Sequence, residues 1–405
     1  MMRAVFINHC HPDVPHVCGL RAGRFAHTLA ERGHRIVLIT GPAPDGSVVS
    51  ADADLAGMLA DHDWRRPFVL PCAATGFDQA RRARNGEIVG IGRKLAIARS
   101  YLFEGGMFPD WQSGVLPLLP ELADHFRPDV VWGTFGNTDT WKLCRRLAHH
   151  AGCPWVGDFK DNWDAFVPIG FRGLMAKRLG VMAAMTVLST AHCDQADVLF
   201  PHTIKTVIYS GVEAVGEGDA LDPGGPLILT LTGSIYDRAR LDGLMASLAG
   251  WLGRGGGRQM TLHYAGNEGE LVERAAQAAG VPVRLVGYLG QTELHRLQAS
   301  AHANLYIYNP RCLLHHKALE LIAQGRPIFV YPDETAEVRS LAAEAGVSLF
   351  ADADPAARAD AIDMIAGAPP AAPAEARRRP FTWAARAGVL ETVLEGVITG
   401  GGARS

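Results

Sequence analysis

Apolar and polar positions along this chain repeat one rhythm. Residues 4–8 (AVFIN) are a short apolar run, and 19–32 set Leu20, Phe25 and Leu29 at helical spacing before Gly33 ends the pattern. Residues 35–40 (RIVLIT) form a second apolar run. Strand, loop, helix and strand in so short a stretch are a βαβ signature, which predicts a parallel sheet. The rhythm continues with strands at 128–133, 154–158 and 185–189 and helices at 137–150, 171–181 and 194–200. In 137–150, Trp141, Leu143, Cys144 and Leu147 suit a buried side. Residues 47–82 are polar with short apolar pieces and predict loop with one strand near 68–71. A helix over 88–103 carries Arg93, Lys94 and Arg99, and Phe103, Phe108 and Trp111 follow. The stretch 88–111 suits an ordinary domain helix or a peripheral contact with anionic lipid.

The second half restarts the pattern. Strands are expected at 227–232, 261–265, 283–286, 303–308, 328–331 and 347–350, with helices at 242–252, 270–279, 292–300, 316–324 and 338–345. Residues 213–226, rich in Gly, Asp and Pro, predict a linker, and 366–375, rich in Ala and Pro, a loop. Two successive βαβ arrays predict an α/β fold of two facing Rossmann-like domains with an interdomain cleft, over 1–212 and 227–380. Trp383, Leu390, Val393, Leu394 and Val397 mark a terminal helix over 381–397.

Size agrees, because a chain of 405 residues exceeds the ~250–300 at which single cores stop growing. A net charge of −3 implies no nucleic-acid partner. Seven scattered cysteines without a C-x-x-C pair argue against a disulfide framework or a zinc site and suit a reducing cytoplasm. No signal-peptide pattern opens the sequence, and no run of ~18 apolar residues could span a bilayer.

Three stretches hold candidate chemistry. In 309–334 (NPRCLLHHKALELIAQGRPIFVYPDE), Lys317, Glu320 and Gln324 share one helix face, Gly325 stops the helix, and a strand follows Pro327. Polar groups near the start of such a helix can serve a ligand crevice. The plain alternative is a solvated Lys–Glu pair worth roughly a few tenths of a kcal/mol. Asp158, Lys160, Asp161 and Trp163 cluster at the carboxyl end of a strand, where they could meet a ligand or merely pair and cap the next helix. The loop after the first strand has Gly19 and Gly23 but no G-x-G-x-x-G, so a dinucleotide fingerprint is absent. Gly19 could admit a phosphate at a helix start or be only a turn residue.

Lys-x-x-Glu followed by a small-residue turn and Gly-Arg-Pro-Ile resembles the donor-binding segment of GT-B glycosyltransferases, in particular the retaining, family 4-like branch. Other segments look alike in the same order. D-F-K-D-N-W at 158–163 is similar to D-F-R-D-x-W, and TVIYSGVE at 206–213 to V-I-x-N-G-V-D near the interdomain link. VRLVGYL at 283–289 resembles V-x-x-x-G-x-V. F-T-W-A-A-R-A at 381–387 resembles F-S-W-x-x-x-A, whose terminal helix crosses back to the first domain. The likeness covers nearly the whole chain and is weakest across 47–114.

The resemblance implies transfer of a sugar from a nucleotide-sugar donor to a hydroxyl on a glycan, lipid-linked or polysaccharide-precursor acceptor. It implies retention of configuration and no metal or cofactor. The first domain would take the acceptor and the second the donor. Negative charge grows on the departing diphosphate, so cations and amides are needed there. Glu320 would hold the ribose hydroxyls, since a carboxylate accepts two hydrogen bonds. Lys317 would face the diphosphate or the sugar. Ser234 and Arg240 would add phosphate contacts, with Arg238 as a rival, and Gly19 would let loop amides approach. Asp158 and Asp161 would orient acceptor or sugar, with His16 a further contact. One departure stands out. Many relatives carry an acid eight positions before the ribose carboxylate, where this chain has Cys312. Asn309 or His315 would take that duty, or donor preference shifts, or activity is lost. Asp52-Ala53-Asp54 and Asp352-Ala353-Asp354 lie in poor segments for a D-x-D metal motif. A sugar-nucleotide epimerase or isomerase on the same fold and a non-catalytic nucleotide-sugar-binding subunit are the competing readings.

Overall fold

A computed structural model describes residues 1–14, 17–50, 52–213, 225–254, 258–367 and 375–401. The chain forms two compact units, Met1–Ser210 with Trp383–Ser405, and Gly211–Thr382. Most of the expected 213–226 linker, most of the 366–375 loop, and His16 lie outside the described residues.

Unit 1 is built on a seven-stranded, all-parallel sheet. Its strands are β1 (Arg3–Ile7), β2 (Arg35–Thr40), β3 (Phe68–Pro71), β4 (Val130–Thr134), β5 (Trp155–Phe159), β6 (Ala184–Val187) and β7 (Lys205–Val207). Their spatial order is β3-β2-β1-β4-β5-β6-β7. Parallel strands are covered on both faces, so the central β4, β5 and β6 are buried throughout, and exposure rises at the edge strands β3 and β7. The pleat sorts β1 between two cores: Val5 and Ile7 join one, Ala4 and Phe6 the other. Trp141, Leu143 and Leu147 of helix Thr138–Ala151 pack in the first core. Helix Val17–Glu31 packs its Phe25 and Leu29 in the second.

The terminal helix Trp383–Gly401 belongs to that second core. Trp383 meets Phe25 edge to face at 5.3 Å, and Phe25 meets Trp132 in the same way at 6.0 Å. Leu390 and Leu394 are fully buried beside them. At the rim, Glu391 accepts from Arg32 at 2.7 Å and meets His34 at 2.5 Å.

Unit 2 repeats the scheme with six parallel strands: β8 (Leu227–Thr232), β9 (Met260–Ala265), β10 (Val283–Leu285), β11 (Ala303–Ile307), β12 (Ile328–Tyr331) and β13 (Leu349–Phe350). The order is β10-β9-β8-β11-β12-β13. Leu229, Leu231, Leu244, Leu248 and Phe329 lie in its core.

The stretch 47–82 is more ordered than its polarity predicts. Helices form at Leu55–Asp61 and Asp78–Arg84, each too short to give a readable apolar period. The Asp54 carboxylate caps the first by accepting from the Gly57 amide at 2.9 Å. Asp354 similarly accepts from the amides of Ala356 and Ala357 at the start of helix Pro355–Gly367, another element that the alanine-rich sequence hides. Both Asp-Ala-Asp stretches thus include a helix cap. The expected helix over 88–103 is Gly90–Arg99 continued by a wider turn at Ser100–Glu104. No helix among the described residues is long and apolar enough to cross a membrane.

Trp383→Ala should remove about 3–5 kcal/mol from unit 1. Urea unfolding followed by tryptophan fluorescence and by far-UV circular dichroism should show the transition of unit 1 moving to lower denaturant while that of unit 2 stays. An unmoved unit 1 transition would mean that the helix adds nothing to that core.

Candidate functional site

In each sheet the strand order reverses once, between β1 and β4 in unit 1 and between β8 and β11 in unit 2. Chains leaving two such strands diverge and open a crevice outside their carboxyl ends, where open α/β sheets place ligands. The sequence candidates fall mostly at these two places.

In unit 2, β8 ends at Thr232, and Gly233 turns the chain with φ +93°, a conformation that favours glycine. A β-carbon there would also stand 3.6 Å from Lys317 Cε, so this lysine lies over the turn. Helix His316–Gln324 brings in Lys317 and Glu320. Its apolar side, with Leu319 and Ile322, is buried, and Gly325 ends it in the left-handed conformation. Lys317 Nζ lies 3.0 Å from Glu320 Oε2, which makes an ion pair across one helical turn. Gln298 Nε2 donates to Glu320 Oε1 at 2.8 Å and to Thr232 Oγ1 at 3.1 Å. Gln298 therefore ties the carboxylate to the end of β8.

The Glu320 side chain is 13% exposed. Burial pushes its pKa up. The charge of Lys317, the neighbouring His316 and the hydrogen bonds from Gln298 and Lys317 outweigh burial, and the pKa ends below the ordinary glutamate range. The group is an anion with acceptor capacity to spare, since a carboxylate offers about four lone-pair directions.

Ser234 is exposed beside this turn. Arg240 and Arg238 separate clearly. Arg240 donates to the carbonyl of Tyr308 just beyond β11, lies over the Tyr308 ring at 5.7 Å, and pairs with Asp237 at 3.4 Å. Arg238 is 75% exposed and reaches Asp242 only at 4.0 Å. Arg240 thus braces the loop after β11. The side chains of that loop hold one another. The Asn309 amide donates to His315 Nε2 at 2.9 Å, and Asn309 Nδ2 contacts Cys312 Sγ at 3.6 Å. Burial holds the His315 pKa down, so its imidazole stays neutral. Asn309 and His315, the two substitutes for an acid at 312, are both engaged in shaping the loop.

In unit 1, Asp158 requires a correction. It is the fourth residue of β5, fully buried, and both its oxygens are taken. Arg21 grips it with two bonds of 2.9 and 2.8 Å, and Thr186 Oγ1 donates at 2.7 Å. Arg21 also reaches the Ile208 carbonyl at 2.9 Å and Ser210 Oγ at 3.3 Å. This bidentate pair ties the first helix to β5, β6 and the end of the sheet, and Asp158 has no face left for a substrate. Gly19 also has a packing reason: a β-carbon there would stand 2.5 Å from the His11 carbonyl oxygen.

Asp161 is placed differently. Lys160 Nζ lies 2.9 Å from its Oδ1 and 3.1 Å from Cys18 Sγ, and Cys18 Sγ lies 3.3 Å from its Oδ2. Burial raises the Asp161 pKa to about 6 even though Lys160 opposes the shift. Burial would lower the Lys160 pKa, but Asp161 and Cys18 reverse this and keep the amine protonated. Lys160 and Asp161 thus form a charged pair in the first unit, next to the start of helix Val17–Glu31.

Sequence reasoning missed Gln298, Thr232 and Arg21. Gln298 had a signal, because it follows Leu294 by one helical turn and so interrupts an apolar face with an amide. Asp158→Ala should cost about 3–5 kcal/mol of stability, since it leaves Arg21 buried and unpaired. Calorimetric unfolding together with nucleoside-diphosphate titration should find a lowered melting temperature and an unchanged dissociation constant for the folded protein. Intact stability with lost binding would restore Asp158 to the site.

No protein-family pattern matches the chain, and no curated protein matches it. Solved structures do. The crystal structure of Anabaena HepE in complex with UDP is similar with a TM-score of 0.61 at 13% identity, over 98% of this chain and 100% of that one. A UDP-forming α,α-trehalose-phosphate synthase from Burkholderia xenovorans gives 0.58 at 12% identity, over 98% and 99%. A Listeria monocytogenes protein assigned as a UDP-N-acetylglucosamine 2-epimerase gives 0.57 at 11% identity, over 98% and 96%. At such identities the likeness establishes the fold, which is the α/β architecture of GT-B proteins with two Rossmann-like domains.

Proposed function

We propose that this chain is a glycosyltransferase that takes a sugar from a nucleoside-diphosphate sugar and passes it, with retention and without a metal, to a hydroxyl acceptor. The observation that carries the reading is the Glu320 carboxylate, kept ionised by Lys317 and Gln298 at the carboxyl end of β8. A fixed anion of this kind suits the vicinal hydroxyls of a ribose, and the nearby Gly233 turn and Lys317 suit the diphosphate. Arg240 braces the loop after β11 through the Tyr308 carbonyl and is a positioning residue. Ser234 adds a hydroxyl on the phosphate side. The similar Anabaena protein was crystallised with UDP and glucose and with UDP-glucose, which favours uridine in the donor.

The chemistry follows from where charge moves. As the anomeric carbon–oxygen bond breaks, negative charge gathers on the diphosphate, and Lys317 already sits beside the turn that would receive it. Asp161 and Lys160 are read as polar contacts for the acceptor or the transferred sugar. A glycan, lipid-linked or polysaccharide-precursor hydroxyl fits this reading, with the chain working on the cytoplasmic side of a membrane. A sugar-nucleotide 2-epimerase is the second reading, favoured by the likeness to the Listeria protein. Cys312 favours a third, a binding subunit without turnover, because a thiol is a weak acceptor for sugar hydroxyls.

Glu320→Ala should weaken uridine diphosphate binding by roughly 10–100-fold, the loss expected for a charged acceptor with two hydrogen bonds. Titration calorimetry measures the binding, and product analysis of UDP-sugars with and without acceptor separates transfer from epimerisation. Unchanged binding in the variant would remove Glu320 from the site, and an epimer formed without acceptor would select the second reading.

A further inference from the structure

Helix Thr138–Ala151 turns Trp141, Leu143, Cys144 and Leu147 inward. Its outer row is Lys142, Arg145, Arg146, His149 and His150, at successive helical spacing and with no acid among them. A groove of about 1040 Å³ runs along this row, with Met175, Arg178 and Leu179 on its far side. Its lining holds four Lys or Arg and two His against a single carboxylate, Glu104. The cations do not satisfy one another. Arg145 donates to the Arg178 carbonyl at 2.9 Å, a neutral acceptor, while Lys142 donates to the Glu104 carbonyl and reaches the buried Asp139 carboxylate only at 4.0 Å. The Lys142 pKa is pushed down by burial and by repulsion from Arg146 and Arg178, against the pull of Asp139 and Glu104. Positive charge is concentrated here on a chain whose net charge is −3.

The rims of the groove are apolar and open to solvent. Phe103 is 72% exposed on one side and Val181 63% on the other. From Phe103 the apolar edge continues backwards through Leu102, Leu95 and Ile91, which are four and seven residues apart and share one face of the helical stretch. Leu95 is 66% exposed. Arg93, Lys94 and Arg99 are exposed beside this stripe. A soluble anion would need the cations but not the stripe. Both together, on one surface of unit 1, match a layer with anionic headgroups above an apolar interior.

We infer that this surface docks on an anionic lipid bilayer, with a phosphate headgroup in the groove and the stripe of Ile91, Leu95, Leu102 and Phe103 in the acyl boundary. Long basic side chains reach headgroup oxygens while their stems lie against apolar neighbours. The inference stands apart from the transfer reading, because vesicle binding is measured with no nucleotide present.

The full-length chain is mixed with phosphatidylcholine vesicles, with and without phosphatidylglycerol, and sedimented at low and at high salt. Binding should be at least about tenfold tighter with phosphatidylglycerol and should fall as salt rises. The double variant Arg145→Gln with Arg146→Gln should weaken it by about tenfold or more. Leu95→Ser with Phe103→Ser should weaken it comparably while leaving the fold and uridine diphosphate binding unchanged. All four residues are exposed, so folding is not at stake. Equal binding to neutral and anionic vesicles, or none to either, overturns the inference. So does loss in the arginine variant alone with competition by free glycerol phosphate, which would make the groove a site for a soluble anion.

Discussion

A carboxylate removed from water either takes up a proton or is matched by a cation and by donors. Glu320 follows the second course. Lys317 supplies the charge, one helical turn away, and Gln298 supplies the amide and links it to the end of β8. Without that match, burial alone would push its pKa up, toward the neutral acid. Gly233 takes the left-handed turn over which Lys317 lies, and Arg240 holds the loop after β11.

The same chemistry has a different outcome in unit 1. Asp158 is also a buried carboxylate matched by a cation, but Arg21 takes both of its oxygens and Thr186 adds a third bond. Nothing remains for a ligand, so the pair is a structural tie between the first helix and the sheet. Asp161, three residues later, faces Lys160 and Cys18, and burial raises its pKa to about 6 against the pull of Lys160. Residue type and proximity in sequence do not separate these acids. The exposure left to each carboxylate does: the Asp158 side chain is fully buried, whereas Glu320 and Asp161 each keep a small open surface.

The architecture was legible because parallel strands buried on both faces leave compact apolar runs, and these marked all of the central strands. Edge strand β7 and the helices at Leu55–Asp61, Asp78–Arg84 and Pro355–Gly367 were not legible. They are too short for a period, or so rich in alanine that polar and apolar faces blur. The site was legible in part. Spacing placed Lys317 and Glu320 on one helix face but fitted a plain solvated pair as well, and it was the resemblance that singled them out; the preference for Arg240 over Arg238 needed the Tyr308 carbonyl. Arg21 could not be paired with Asp158 from sequence, because the partners are 137 residues apart. Gln298 is a polar residue on an apolar helix face, a signal that makes sense only once its acceptor is known.

The most direct test of the central claim is a crystal structure of the protein with uridine diphosphate. Both ribose hydroxyls should lie within about 2.5–3.0 Å of the Glu320 carboxylate, with the diphosphate at the Gly233–Ser234 turn beside Lys317. A nucleotide bound elsewhere, with Glu320 still engaged only by Lys317 and Gln298, would contradict it.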